Sequence, residues 1–262
     1  MKSRSEMTIL EHLAELRLVL LKVVVAVVLA SVVAFLFGDK LLELLTQVSD
    51  PNFITNRWLC KLAGILNSPD LCINSHRLSF NNIELAGQFT LHVRLAFFGG
   101  AILIAPYSVT AIARFILPAL KEKERKVSIK FLIYSIVLFI IGVAFGYFII
   151  APIAVHFLAN YSLSESIANQ ITVQSFIRTV TQTVFAMGLS FELPLVVFHL
   201  TKWHIIEIKV LKRNRPIAIV VLLTLAAIIT PPDVFSMIIV AVPLWLLYEV
   251  SIFATKWAKT KD

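Results

Sequence analysis

The chain has 262 residues, of which 58% are hydrophobic and 15% charged, and its formal net charge is +8. The mean hydropathy is +0.86, and the charged share lies far below the roughly 25% of soluble domains. This composition excludes an ordinary soluble domain and indicates an all-α polytopic membrane protein. Topology and anionic lipid explain the positive charge better than nucleic acid does, because no basic, aromatic-interleaved soluble segment could hold a strand.

Six apolar runs reach or approach the roughly 20 residues needed to cross a bilayer. We predict transmembrane helices over 18–38, 92–118, 127–158, 172–201, 216–230 and 234–254, forming one membrane domain over 1–262. The first run is too long for a signal-peptide core and lacks a small-residue cleavage site, so we keep it as a span. The fifth run, about 22 Å long as a helix, is shorter than the hydrocarbon core of roughly 30 Å.

The distribution of Lys and Arg predicts the orientation, because basic flanks remain in the cytoplasm. Six spans place both termini on one side of the membrane. With the termini inside, the cytoplasmic segments hold Lys2, Arg4, Arg17, Lys22, Lys121, Lys123, Arg125, Lys126, Lys130, Lys202, Lys209, Lys212, Arg213, Arg215, Lys256, Lys259 and Lys261. The opposite side holds Lys40, Arg57, Lys61 and Arg77. Both termini are therefore predicted to be cytoplasmic.

A carboxylate, Glu15, lies immediately before the first span, in the stretch "TILEHLAELRLVLLK". Thr8 and Glu11 fit a capping box at the start of a helix. Glu15 lies four residues after Glu11 on the same face, where like charges are mildly destabilising. It is either a solvated carboxylate near a helix N-terminus or a docking point for a cationic ligand at the membrane surface.

The first extracytoplasmic loop, about 39–85, is the only long connection and contains both cysteines, Cys60 and Cys72. On the oxidising side of a membrane, two cysteines at this spacing can form a disulfide that restricts an otherwise slack loop. Two free thiols are the alternative in a less oxidising compartment. The sequence leaves both readings open.

A second pair of carboxylates, Glu122 and Glu124, lies among basic residues in the cytoplasmic segment that follows the second span, "LPALKEKERKVS". By itself this is an ordinary salt-bridged loop. The predicted topology, however, places it on the same side of the membrane as Glu15. Two separated carboxylates suit a ligand with two guanidinium groups, because each Arg presents a planar fork that a carboxylate accepts bidentately.

The fourth predicted span carries an intramembrane carboxyl group, Glu192, in "GLSFELPLVVF". Such a group is costly in hydrocarbon, so we expect it to be neutral or hydrogen bonded and treat it as a functional candidate. Pro194 cannot donate to the carbonyl of Ser190. Arg178 lies 14 residues earlier, about 21 Å along the helix axis, and is too distant for direct pairing. A purely structural role, holding the bundle together, is the alternative.

Two further patterns concern helix ends and packing. Pro231 and Pro232 are predicted to end the fifth helix, and Asp233 can cap the sixth. Gly142 and Gly146 have small-xxx-small spacing, which predicts a packing seam in the third span. The sequence lacks a metalloprotease H-E-x-x-H, a phosphate-binding glycine loop, a G-x-S-x-G elbow and Cys/His metal spacing. We therefore predict no enzymatic activity, no metal and no cofactor.

Five segments together resemble, in order and spacing, the TatC family of twin-arginine protein translocases. They are "HLAELR", "LPALKEKERK", "FGYFIIAPIAVHFL", "SFELP" and "TPPDVFS". The resemblance runs from about residue 8 to about residue 257, excepting the cysteine-bearing loop. It implies a concave, glove-like six-helix bundle with short fifth and sixth helices, in the bacterial cytoplasmic membrane or an organellar equivalent.

The resemblance also implies a function and its site residues. Family members bind the Arg-Arg motif of signal peptides on folded cargo, and export is driven by the proton-motive force. Their signal-peptide contacts correspond to Glu15 and Arg17 in the first motif and to Glu124 and Arg125 in the second. Glu192 and Pro194 correspond to an intramembrane polar site for partner docking, and the Pro-Pro-Asp segment to a periplasmic cap. The implied partners are the single-span proteins TatA and TatB, with TatB–TatC units forming an oligomer.

Some positions depart from the family pattern: Val19, Ala111, Ala113 and Met237 replace residues that the family often has. Two other classes of function remain open from the residues alone. One is an ion- or proton-coupled secondary transporter in which Glu192 and Arg178 line a pathway, although the paired broken helices of repeated halves are not visible. The other is a scaffold subunit without a ligand.

Overall fold

The computed structural model describes residues 9–68, 72–73, 78–116, 125–162, 164, 169–202, 206–229 and 234–259, and they are overwhelmingly helical. Within them, four helical segments are long and apolar enough to cross a membrane: Leu13–Phe35, Gly87–Ile112, Leu132–Asn160 and Val173–Thr201. Two shorter apolar helices cover Arg215–Ile229 and Met237–Phe253. The chain is thus an all-helical multi-span membrane protein with four long and two shorter apolar helices.

The helices follow the predicted order. They are α1 (Ile9–Phe35), α2 (Gly38–Thr46), α3 (Ile54–Leu66), α4 (Gly87–Ile116), α5 (Arg125–Phe145), α6 (Ala151–Asn160), α7 (Val173–Ser190), α8 (Leu193–Lys202), α9 (Ile208–Arg213), α10 (Arg215–Ile229) and α11 (Val234–Lys259). The third predicted span corresponds to α5 and α6, and the fourth corresponds to α7 and α8, within one or two residues at each end. Neither is the uninterrupted α-helix that hydropathy suggests.

A π-helical segment, Gly146–Ile150, joins α5 to α6. Pro152 follows directly and has no N–H to donate to the carbonyl of Phe148, four residues earlier. The hydroxyl of Thr55, in α3, donates to that carbonyl instead. The irregular helix therefore has a local cause, and a distant part of the chain supplies the missing donor.

The first loop, expected to be slack apart from a disulfide, contains α2, a 3₁₀ turn over Gln47–Ser49 and α3. Tyr147 of the π segment donates its hydroxyl to the carbonyl of Leu44 at 2.6 Å. Phe53 packs edge-on against Tyr147, with ring centroids 5.4 Å apart. Asn56 is fully buried and donates to the carbonyl of Asp50 at 2.8 Å. Aromatic packing and hydrogen bonds therefore hold the described part of this loop against the third span, in addition to any restraint from a disulfide.

Glycines allow close helix packing at two seams. A Cβ on Gly100 of α4 would lie 2.7 Å from Ser31 Cα of α1. A Cβ on Gly142 would lie 2.9 Å from Gly188 Cα in α7, and one on Gly146 would lie 2.9 Å from Met187 Cβ. The predicted packing seam at Gly142 and Gly146 is confirmed.

The two shorter apolar helices pack on the remainder through a second apolar cluster. Leu222 and Ala226 of α10 contact Val240 and Leu244 of α11 and Met187 of α7 in this cluster. Hydrogen bonding adds to the packing: Arg215 donates to Glu249 at 2.6 Å, and the hydroxyl of Tyr248 donates to the carbonyl of Leu211 at 2.7 Å. The C-terminal helices are thereby fixed to α7 and to each other.

Candidate functional site

The first candidate carboxylate, Glu15, lies in the second turn of α1, where its side chain is partly buried. Arg17, two residues further on, is exposed. Thr8, the proposed cap, lies outside the described residues. The predicted helical setting of Glu15 is therefore observed from Ile9 onward.

Packing between α1 and α4 sets the height of Glu15. Near one end of the pair, His92 Nε2 lies 2.8 Å from the carbonyl oxygen of Phe35, and Gly100 of α4 meets Ser31 of α1. The two helices are thus antiparallel. Glu15 lies sixteen residues before Ser31, and Ile116 lies sixteen residues after Gly100. Both intervals correspond to about 24 Å of helix, so Glu15 is level with the end of α4.

The second candidate carboxylate, Glu124, lies outside the described residues, as does Glu122. In sequence, Glu124 stands eight residues after Ile116 and immediately before Arg125, the first residue of α5. The segment that carries it therefore connects the end of α4, which is level with Glu15, to the start of α5.

Glu192 lies at the break between α7 and α8, and its side chain is only 3% exposed. Its Oε1 accepts a hydrogen bond from the hydroxyl of Ser135 in α5 at 2.7 Å. Its Oε2 has no hydrogen-bond partner among the described residues. Residues of α5 and of the α7–α8 turn thus enclose the carboxyl group of Glu192.

The break itself follows from Pro194, which lies in the first turn of α8 and cannot donate to the carbonyl of Ser190. The backbone turns at Phe191 and Glu192 before the helix resumes. Arg178, at the other end of α7, is exposed. The structure therefore does not bring Glu192 and Arg178 together, as their separation along the helix predicted.

The remaining sequence candidates fall into two groups. Pro231, Pro232 and Asp233 lie outside the described residues, between the end of α10 at Ile229 and the start of α11 at Val234. Cys60 of α3 forms a disulfide with Cys72. In the part of the chain that the structure describes, no group of three or more His, Cys, Asp or Glu side chains could hold a metal ion.

Two side chains escaped the sequence analysis. Ser135, the partner of Glu192, stands 57 residues before it, and nothing in the sequence pairs the two. Arg94 is a half-buried residue of the membrane-spanning helix α4. The sequence does contain a signal for Arg94, since an arginine inside an apolar run is uncommon. The orientation prediction does not include it, because that prediction uses only basic residues in loops and near span ends.

The sequence is similar to one protein family and to proteins of known name. Residues 11–243 match the family described as Sec-independent protein translocase protein (TatC). The Sec-independent protein translocase protein TatC of Blattabacterium sp. subsp. Periplaneta americana (strain BPLAN) is 34% identical over 98% of both chains. TatCy of Bacillus subtilis (strain 168) is 30% identical over 98% of this chain and 92% of that protein.

A solved structure with a similar fold comes from the same family as these relatives. The crystal structure described as the twin-arginine translocase receptor TatC superposes with a TM-score of 0.75 at 31% identity, over 95% of this chain and 99% of that one. The family match covers most of the chain, and the structural match covers nearly all of it. The chain therefore belongs to the TatC family of Sec-independent protein translocase proteins, and it is a multi-pass protein of export in the bacterial cytoplasmic membrane, not an enzyme.

Proposed function

We propose that this protein is the receptor that binds the arginine pair of twin-arginine signal peptides through Glu15 and Glu124. The observation that carries the proposal is the register of α1 against α4, which sets Glu15 level with the end of α4. The segment with Glu124 and Arg125 begins from that end. Each carboxylate can accept a bidentate guanidinium, and Arg17 and Arg125 flank them in the two family motifs.

The proposed topology has six transmembrane helices with both termini in the cytoplasm and a single membrane domain over 1–262. The excess of Lys and Arg at one set of helix ends supports it. Four long and two shorter apolar helices fit a concave bundle, in which α10, with 15 residues, is too short to span the full hydrocarbon core. Pro231, Pro232 and Asp233 then cap the turn between α10 and α11 on the periplasmic side.

TatA and TatB are the proposed single-span partners, with TatB–TatC units as the oligomeric assembly. The Oε2 of Glu192, which has no hydrogen-bond partner in the described part of the chain, supports a polar docking point near the break between α7 and α8. Polar contacts between helices are a common means of association in lipid, where an unpaired polar group is costly. A partner helix would have to reach this oxygen past the side chains that enclose Glu192.

A binding experiment with purified protein tests the receptor proposal. Glu15→Gln and Glu124→Gln should each weaken binding of a fluorescent twin-arginine peptide by about 1.5–3 kcal/mol, the value of a charge-assisted hydrogen bond. Such a loss corresponds to roughly tenfold or more in Kd. Glu207→Gln is the matched control, since it removes an exposed carboxylate on the same predicted side without touching either motif.

The ligand provides a second arm of the same experiment. A Lys-Lys peptide should bind more weakly than an Arg-Arg peptide, because an ammonium group cannot form the planar two-point contact. Equal binding of the two peptides would contradict bidentate recognition. Unchanged binding by both carboxylate variants would remove Glu15 and Glu124 from the site.

A further inference from the structure

A pair of arginines lies on the two membrane-spanning helices α4 and α7. Arg94 is half-buried and Arg178 is exposed. Both fall inside segments apolar enough to cross a membrane. Neither α4 nor α7 contains an acidic residue. Among the described residues, neither guanidinium has a hydrogen bond or an ion pair.

Contacts at two heights align the helices. At their N-terminal ends, a Cβ on Gly87 would collide with the side-chain amide of Gln174, which is hydrogen bonded to Asn82. Eleven residues further along each helix, Phe98 and Phe185 pack edge-on with centroids 6.1 Å apart. Because both intervals are eleven residues, α4 and α7 run parallel and in register.

This register places the two arginines along one seam. Arg94 is four residues before Phe98 and Arg178 is seven residues before Phe185, so each lies on the helical face of the phenylalanine it precedes. Measured from the level of Gly87 and Gln174, Arg94 is about 10 Å deep and Arg178 about 6 Å deep. The two positive charges therefore lie at similar depths beside the same interface.

Arginines within about 10 Å of the start of a membrane-spanning helix lie near the boundary between headgroups and hydrocarbon. The headgroup region on each side of a bilayer is about 5–8 Å thick, and an arginine just below it extends its guanidinium back toward the surface. Farther from the N-termini of the same helices, apolar side chains are exposed: Phe97 of α4 is 54% exposed and Leu189 of α7 is 38% exposed. A ligand with an anionic head and apolar chains fits this arrangement.

We propose that Arg94 and Arg178 form a binding site for the phosphate of an anionic phospholipid in the extracytoplasmic leaflet. The leaflet follows from the proposed topology, in which α4 and α7 begin outside; the lipid contact itself does not depend on signal-peptide binding. Guanidinium forks bind phosphate oxygens bidentately. Two of them favour a lipid with net negative charge over a zwitterionic one.

Thermal unfolding of the purified full chain in detergent tests the site. Added phosphatidylglycerol should raise the Tm of the wild type more than phosphatidylcholine does, since a ligand of the folded state stabilises it. In the double variant Arg94→Gln/Arg178→Gln, the phosphatidylglycerol concentration for half the effect should rise about tenfold. The control Arg57→Gln/Lys61→Gln removes two exposed charges from the same predicted side and should behave as the wild type.

Native mass spectrometry of the same variants supplies a count of retained lipid. The wild type and the control should keep phosphatidylglycerol, and the double variant should lose it while eluting as a folded protein. Equal retention by the double variant would overturn the site. Equal protection of the wild type by inorganic phosphate would show a free-anion site rather than a lipid site. Loss of a co-purifying single-span partner with unchanged lipid would assign the arginines to that partner.

Discussion

At the residue scale, the contact between Glu192 and Ser135 is the feature with the strongest consequences. A carboxyl group that is 3% exposed in a membrane bundle has one oxygen satisfied by a hydroxyl and one with no partner among the described residues. A buried acceptor without a donor costs about 1–3 kcal/mol. A polar group of a partner helix that bonded this oxygen would remove the cost and favour assembly.

Substitution of Glu192 separates a docking role from an internal one. Glu192→Gln keeps an acceptor and a donor and should largely retain co-purification of the proposed single-span partner. Glu192→Ala should lose it, because the polar contact disappears and the partner's group is left unpaired in lipid. Co-purification and export of a twin-arginine reporter measure the two effects.

Ser135→Ala is the matched control for that comparison. It removes only the internal hydrogen bond and should lower stability by about 1–3 kcal/mol without abolishing partner binding. If Glu192→Ala has no effect on assembly, the carboxyl is purely structural. Complete loss of export in both Glu192 variants with normal assembly would instead favour proton coupling.

At the scale of elements, glycine decides how closely α1 and α4 approach. Gly100 faces the backbone of Ser31, and a backbone cannot move aside as a flexible side chain can. Gly100→Ala should therefore force the helices apart and lower the free energy of unfolding by about 1–3 kcal/mol, the usual cost of overpacking. Thermal unfolding in detergent measures it.

Gly64→Ala is the corresponding control in α3. A Cβ there meets nothing within 4 Å, and alanine favours a helix over glycine by up to about 1 kcal/mol. This variant should be as stable as the wild type or more so. A Tm that falls equally in both variants would show that the effect at Gly100 is not one of helix contact.

At the scale of the whole molecule, the disulfide reports on topology. In intact cells, a membrane-impermeant thiol reagent should label Cys60 and Cys72 only after mild reduction, because they are the chain's two cysteines and form a disulfide in the structure. Placed in a cysteine-free background, Glu207→Cys should resist this reagent and react with a permeant one. The reverse pattern would place the termini outside.

The sequence alone determined the features that arise from composition and local order. Apolar runs predict the four long and two shorter apolar helices, because the lipid requires backbone hydrogen bonds to close within a segment. Lys and Arg counts predict orientation, and five ordered motifs indicated the family. The glycine seam at Gly142 and Gly146 could also be predicted, since its spacing is that of a helix face.

The tertiary structure decided the contacts that join residues distant in sequence. Ser135 donates a hydrogen bond to Glu192, 57 residues later in the sequence. Thr55 donates to the carbonyl of Phe148, to which Pro152 cannot donate. Arg94 and Arg178 lie at similar depths only because α4 and α7 are in register. The hydropathy of a segment depends only on the residues of that segment, so it does not indicate which other helix the segment packs against. Those pairings depend on three-dimensional packing, where side-chain shape and the need to satisfy buried polar groups select one arrangement.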